Sequence, residues 1–479
     1  MERLFIDGSF ADAVAGETFT TTAPRDGSVL AEVASGHGED VDLAVRAARR
    51  AFEDGRWRSQ PPAARKRVLL KLAELLRANS EELARVESMD TGKPIGEASR
   101  VDVAKAAETF AWYAEAIDKV YGEIAPTGPD ALALVSREPL GVIGAVVPWN
   151  YPLMITAWKL APALAAGNSV VLKPAEQSPL SALVLARLAA EAGLPDGVLN
   201  VVTGFGETAG RALGLHPSVD KIAFTGSAPV GRAFLGYAAA SNGKQVSIEA
   251  GGKSPQLVLP DVSDVDKAAE SIAWGFCYNA GQTCNAGSRL VVHSSIAAEL
   301  VDAVRKVLSG FTVGDPLDPA TTIGPLIDDT QLATVLGYLD IGRAEATAVH
   351  GGRRLHEESG GWYVEPAVLE GVPNTATVAQ EEIFGPVLVT TTFDELEEGV
   401  RIANETRFGL AASVWTADFR TAHRVAARLR AGTVWVNTFD ASDVVTPFGG
   451  FGETGGGRDK SLHALDGYTG LKTTWFDLS

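Results

Sequence analysis

The chain has 479 residues, 46% of them apolar, with 50 glycines that follow no short period. That length and mix exclude a single small domain, a collagen and a disordered polymer, and imply two or three units with sizeable cores. The formal net charge of −18 repels phosphate backbones and argues against nucleic-acid binding, although for a soluble protein the charge needs no further explanation.

In chain order, Leu4-Phe5-Ile6 reads as a short strand ending at the turn Asp7-Gly8, and Met1 to Gly8 lacks the apolar run of a secretory signal. A helix is predicted over Val41 to Phe52, with Glu39-Asp40 in its start region. A longer helical region follows Pro61-Pro62. There Val68, Leu69, Leu72, Leu75 and Leu76 recur at helical spacing, and Thr91-Gly92-Lys93-Pro94 ends it. A third helical stretch runs roughly from Val101 to Val120.

From residue 140 the pattern changes. Gly141 to Val147, Ser169 to Leu172, Val198 to Val202, Lys221 to Phe224 and Val246 to Glu249 are short β-branched runs. Helix-like stretches separate them, notably Pro179 to Ala192 before Gly193. This alternation predicts right-handed βαβ units around a parallel sheet covered on both faces. A second alternating set begins near Gln256-Leu257-Val258-Leu259 and continues past Thr433-Val434-Trp435-Val436. Ala133 to Arg137 and Leu471 to Trp475 read as exposed strands, whose free edges would find partners in an oligomer. The apolar runs, such as Gly141 to Val147, are too short to span a bilayer, so no membrane association is expected.

The two cysteines, Cys277 and Cys284, are seven positions apart. This excludes a disulfide framework and Cys-x-x-Cys spacing, and no metal site is expected. A working thiol suits a reducing cytoplasm, the expected location. Cys284 closes the small-residue stretch Phe276-Cys277-Tyr278-Asn279-Ala280-Gly281-Gln282-Thr283-Cys284, and Glu249 lies 35 positions before it. A thiol nucleophile and a carboxylate base together supply covalent attack on a carbonyl and hydrolysis of the product. The bland alternatives are a buried apolar cysteine, as Cys277 is expected to be, and an ordinary strand-end carboxylate.

Seven blocks then occur in one order: Pro148-Trp149-Asn150-Tyr151-Pro152, Lys173-Pro174-Ala175-Glu176, Phe224-Thr225-Gly226-Ser227, Glu249-Ala250-Gly251-Gly252-Lys253, Gly281-Gln282-Thr283-Cys284, Glu381-Glu382-Ile383-Phe384-Gly385-Pro386 and Pro447-Phe448-Gly449-Gly450. Through them the chain resembles the NAD(P)-dependent aldehyde dehydrogenase superfamily over essentially its whole length. The resemblance implies an α/β fold with two Rossmann-type parallel-sheet domains and a β oligomerisation arm. Residues 1–117 and 140–251 would form the NAD-binding domain and 252–453 the catalytic domain. Residues 118–139 and 454–479 would form the arm and tail of a homodimer or homotetramer.

The resemblance also implies roles. Cys284 is the nucleophile, Glu249 the base that activates water, and Asn150 the side chain that stabilises the oxyanion together with the Cys284 N–H. Taken alone, Asn150 would be a turn asparagine before Tyr151-Pro152. Gly204-Phe205-Gly206 and Gly210 follow a predicted strand, but Gly-x-Gly-x-x-x-Gly is weak as a dinucleotide fingerprint. By resemblance Gly206 and Gly210 lie near the adenosine half of the cofactor. The pyrophosphate belongs at Thr225-Gly226-Ser227, before a helix bearing Val230 and Gly231. Lys173 and Glu176 match adenine-ribose contacts, or else form a simple surface ion pair. Glu176 would accept from a 2′-hydroxyl and repel a 2′-phosphate, so NAD is the expected cofactor, with NADP use open. Trp149, Glu382 and Phe384 match the remaining cofactor contacts.

For the aldehyde, Met154 and Trp158 share a face of the helix after Asn150, where the family lines its tunnel; spacing alone would make them core. Asn437 to Asp443 resembles the substrate-anchor loop, where Asp440 and Asp443 would attract an amine end. The stretches Trp112 to Glu123 and Arg458 to Leu465 are most similar to the bacterial γ-glutamyl-γ-aminobutyraldehyde dehydrogenase branch of putrescine breakdown, and are expected to lie outside the tunnel. Phe451-Gly452-Glu453-Thr454-Gly455 departs from relatives and is expected to add acid and flexibility. The expected function is NAD-dependent oxidation of an amino- or γ-glutamylamino-aldehyde to its acid. The alternatives are a dehydrogenase for general aliphatic or aromatic aldehydes, a CoA-acylating dehydrogenase and a non-catalytic relative.

Overall fold

The computed structural model describes all 479 residues. The five runs after residue 140 are strands: Val142–Val146, Ser169–Lys173, Leu199–Val201, Lys221–Gly226 and Gln245–Ala250. All pair in parallel, with helices Pro152–Ala166, Leu180–Glu191 and Ala228–Ala239 between them. Across the sheet the order is Gln245–Ala250, Lys221–Gly226, Val142–Val146, Ser169–Lys173, Leu199–Val201. The predicted strand Leu4–Ile6 turns at Asp7-Gly8 into Ser9–Ala11, and this hairpin joins the sheet edge antiparallel, Phe5 opposite Val201. The order reverses between Val142–Val146 and Lys221–Gly226. At such a reversal the connections leave to opposite faces, and a crevice opens at the carboxyl ends of the strands.

The second sheet runs Ala348–Gly351, Ala367–Glu370, Val387–Phe393, Arg289–His293, Pro255–Val258, Ala411–Trp415, Thr433–Val436, parallel except for its first strand. Its core packs Ile272 and Phe276 from helix Val265–Cys277 against Val292 and Val387. The carboxyl ends of the first sheet face the loop that precedes Arg289–His293. There the Asn150 side chain donates to Gln282 O at 2.8 Å, and Asn279 Nδ2 donates to Asn150 O at 3.1 Å.

A third sheet stands apart. Ala131–Pro139 pairs antiparallel with Thr469–Asp477 along nine residues and with Glu123–Ala125 on its other edge. The two segments read as exposed strands therefore partner each other. Leu471 and Trp475 remain 67% and 63% exposed. Two helical predictions change in detail. The region after Pro61-Pro62 is two helices, Pro62–Ala78 and Ser80–Thr91, because Asn79 leaves helical geometry and its side chain caps back onto Leu75 O. The stretch near Val101 opens as a π-helical segment, Ala98–Val103, before the α-helix Ala104–Ala116. No helix is long and apolar enough to cross a membrane.

Candidate active site

Helix Val265–Cys277 ends against a loop of unusual backbone. Asn279, Ala280 and Gly281 take φ of +49°, +54° and +74° in succession. For residues with a Cβ this left-handed region costs about 1 kcal/mol or more each. The surroundings hold it in place. Gln282 Nε2 donates to Asn279 O at 3.2 Å, Gln282 Oε1 accepts from Ile327 N at 2.9 Å, and Thr283 Oγ1 shares a hydrogen bond with Tyr151 OH at 3.0 Å. At Gly281 a Cβ would fall 2.2 Å from Gly385 O, so only glycine fits. The result is a fixed, half-buried Cys284 that lies in the walls of two cavities, of about 290 and 240 Å³. Burial first, then the charges of Glu382, Asp440 and Glu249, push its thiol pKa up. Cys277 is fully buried in the second core, as an inert cysteine would be.

The smaller cavity opens at the reversal point of the first sheet. Trp149 and Asn150 come from the carboxyl end of one strand there, Gly226 and Ser227 from that of its neighbour. Ser227 begins helix Ala228–Ala239, whose first-turn N–H groups lack a side-chain cap. Such donors suit phosphate oxygens. Trp149 and Phe384 meet edge to face at 5.2 Å, and Phe384 is delivered with φ of +56°. Glu382 accepts from Gly252 N at 3.2 Å, and burial pushes its carboxyl up to about 7. Free amide donors, two flanking aromatic rings and a carboxylate fit the parts of a nicotinamide dinucleotide. Lys173, Glu176, Gly206, Gly210 and Val230 lie outside the wall of this cavity. Lys173 and Glu176 pair with each other at 2.8 Å, Gly206–Gly210 is a π-helical turn, and Val230 is exposed on the first turn after Ser227.

Glu249 lines the same cavity, 3% exposed, with neither carboxylate oxygen hydrogen-bonded. The backbone of the C-terminal loop presses on it: a Cβ at Gly457 would lie 2.6 Å from Glu249 Oε1. Burial raises its pKa well above the ordinary value, and the Asp459 carboxylate adds to this, while Lys159 and Arg458 oppose it. Lys159 and Asp459 form a buried ion pair at 2.6 Å. The sequence reading gave neither residue a part in the site. The available signal was a lysine inside the otherwise apolar helix Pro152–Ala166. The Asn150 amide spends one N–H on Gln282 O and keeps the other.

The larger cavity takes Met154, Trp158 and Asp443 into its wall with Cys284, and Trp158 borders both cavities. Asp440 is there too, accepting from Asn285 Nδ2 at 2.7 Å. Two expectations need correction. The stretch from Arg458 does reach the cavities: Asp459 lines the smaller and Lys460 the larger, because paired backbone hydrogen bonds of 2.8 Å tie Asp459 to Phe448. The segment 451–455 is anchored rather than loose. Glu453 pairs with Arg232 at 3.3 Å and Arg407 at 3.7 Å, and Thr454 Oγ1 donates to Gly251 O at 2.9 Å.

Comparison with known proteins agrees with this geometry. The model of the aldehyde dehydrogenase family matches residues 10–474. The NADP/NAD-dependent aldehyde dehydrogenase PuuC of Escherichia coli K12 is 50% identical over 99% of this chain and 96% of its own. The structure of a γ-glutamyl-γ-aminobutyraldehyde dehydrogenase from Burkholderia cenocepacia is 53% identical, covers 100% of this chain and 97% of its own, and superposes with a TM-score of 0.98. An indole-3-acetaldehyde dehydrogenase from P. syringae, solved with NAD+, is 50% identical over 100% of this chain and 97% of its own, with a TM-score of 0.99.

Proposed function

This chain belongs to the aldehyde dehydrogenase family, and from that premise we propose that it oxidises an amino- or γ-glutamylamino-aldehyde to the acid with NAD, through Cys284. The observation that carries the reading is the position of Cys284 between two cavities, one fitted to a dinucleotide and one lined by Met154, Trp158 and Asp443.

The residues divide the work as follows. The Cys284 thiol, which burial keeps protonated, gives its proton to water as its sulfur adds to the aldehyde carbon. The remaining Asn150 N–H and the Cys284 N–H stabilise the oxygen as it gains charge. Phe384 would pack against the nicotinamide with Trp149 beside it, Glu382 would take the hydroxyls of its ribose, and the first turn after Ser227 would take the pyrophosphate. Glu176 takes the 2′-hydroxyl of the adenine ribose, with Lys173 beside it, and Gly206 and Gly210 border the adenosine. Bound NAD supplies the hydride acceptor. Glu249, with two unpartnered oxygens, then removes a proton from the water that hydrolyses the thioester.

We assign residues 1–117 and 140–251 to cofactor binding, 252–453 to catalysis, and 118–139 with 454–479 to an oligomerisation arm and C-terminal tail. A working thiol of this kind fits a reducing cytoplasm. The substrate class draws support from the similarity to the B. cenocepacia enzyme and from the carboxylates of Asp440 and Asp443 at the cavity. The test is NADH formation with purified protein and a panel of aldehydes. Cys284→Ala is expected to abolish turnover. Turnover of aromatic aldehydes but of no amino- or γ-glutamylamino-aldehyde would overturn the substrate part.

A further inference from the structure

The larger cavity holds an ammonium that no protein group contacts as a partner. Lys460 lies in its wall, only 3% exposed. Its ammonium stands 5.4 Å from the Trp158 ring centroid and 5.5 Å from that of Phe448, and it makes no hydrogen bond or ion pair. The carboxylates of Asp440, Asp459 and Asp443 offset its charge through space without touching it, and Lys105 opposes them. Lys105 is paired with Glu108 at 2.8 Å, Asp459 with Lys159 at 2.6 Å, and Asp440 is bonded to Asn285 at 2.7 Å.

The backbone goes to some length to present this side chain. Lys460 and Ser461 take φ of +60° and +53°, a costly conformation for residues with a Cβ. On one side Asp459 is tied to Phe448; on the other Ser461 N donates to Val444 O at 2.7 Å and Ser461 O accepts from Tyr113 OH at 2.9 Å. Lys460 is therefore clamped in place from both neighbours.

A desolvated ammonium is costly unless it is paired. A neutral substrate chain would displace water from Lys460 and give nothing back. A substrate ammonium placed there would meet a like charge, with the faces of Trp158 and Phe448 already taken by a cation. A carboxylate would complete the site. We propose that Lys460 determines specificity by receiving a carboxylate at the end of the substrate remote from the aldehyde, so that the substrate class is an aldehyde bearing a carboxylate rather than one bearing only an ammonium. Of the two substrate types named above, this selects the γ-glutamylated one, whose own ammonium is left to Asp443. The inference rests on the reading that the aldehyde reaches Cys284 through this cavity.

The experiment compares NAD-dependent kcat/KM for succinic semialdehyde, butanal and β-aminopropionaldehyde. In the unaltered enzyme the order is expected to place succinic semialdehyde first and β-aminopropionaldehyde last. In Lys460→Met the ratio of succinic semialdehyde to butanal should fall about tenfold or more, as for loss of one partner of a desolvated charge pair. In Lys460→Arg the ratio should be largely kept. A wild-type preference for β-aminopropionaldehyde over succinic semialdehyde overturns the proposal without any variant, so a poorly folding Lys460→Met does not shield it. An unchanged ratio in a folded Lys460→Met overturns it as well. If Cys284→Ala is inactive while that ratio is flat, the charge inference fails and the reading of the site stands. If Cys284→Ala still turns over, the reading itself fails.

Discussion

The base role proposed for Glu249 rests on its surroundings. A carboxylate in water would be too weak to draw a proton from water near neutral pH. Here burial and Asp459 raise its pKa, and Lys159 and Arg458 limit the rise. Because the raised pKa belongs to the acid form, the working base grows in as pH rises through it. Steady-state kcat is therefore expected to climb as pH rises through this raised pKa, and the climb should be lost in Glu249→Gln. That variant should still release a burst of NADH near one per site, then turn over about 100-fold more slowly or worse. Addition of CoA should not restore the wild-type rate if water is the natural acceptor. Cys284 and Glu249 are legible in sequence because each sits in a compact block. Lys159 and Asp459 are not, since a 2.6 Å ion pair between residues 300 positions apart leaves no local pattern.

Between Ser80 and Glu97 the element scale holds a second group of buried acids. Asp90 and Glu97 are 1% and 7% exposed, and burial pushes both up to about 8 from 3.8 and 4.5. Asp90 Oδ2 accepts from Leu180 N at 3.0 Å, which ties helix Ser80–Thr91 to the start of Leu180–Glu191. Folded chains keep these protons at pH values where unfolded chains lose them. The contribution to stability is thus present in full below the unfolded pKa and is lost as pH rises towards 8. The melting temperature is expected to fall between about pH 5 and pH 8, and calorimetry of Asp90→Asn should show a shallower fall. Helix periodicity made this region readable as helical. It did not reveal the break at Asn79, where a side-chain cap competes with continuation of the helix.

At the scale of the whole molecule, the third sheet bears on assembly. Thr469–Asp477 lies on one edge of its three-stranded sheet and presents Leu471 and Trp475 to solvent. An unpaired edge beside exposed large side chains seeks a partner strand or surface. Removal of residues 469–479 is expected to lower the mass measured by light scattering, and an unchanged mass would exclude the arm as the contact. The sequence by itself determined the alternation of strands and helices, the seven ordered blocks and so the family, because these features depend on neighbours a few residues away. Tertiary structure alone decided that Lys460 stands over Trp158 and Phe448 in one cavity, that Asp459 reaches Glu249, and that the strands near residues 135 and 473 pair with each other. Burial and charge act through space, and distance along the chain does not encode which groups come to share a low-dielectric pocket.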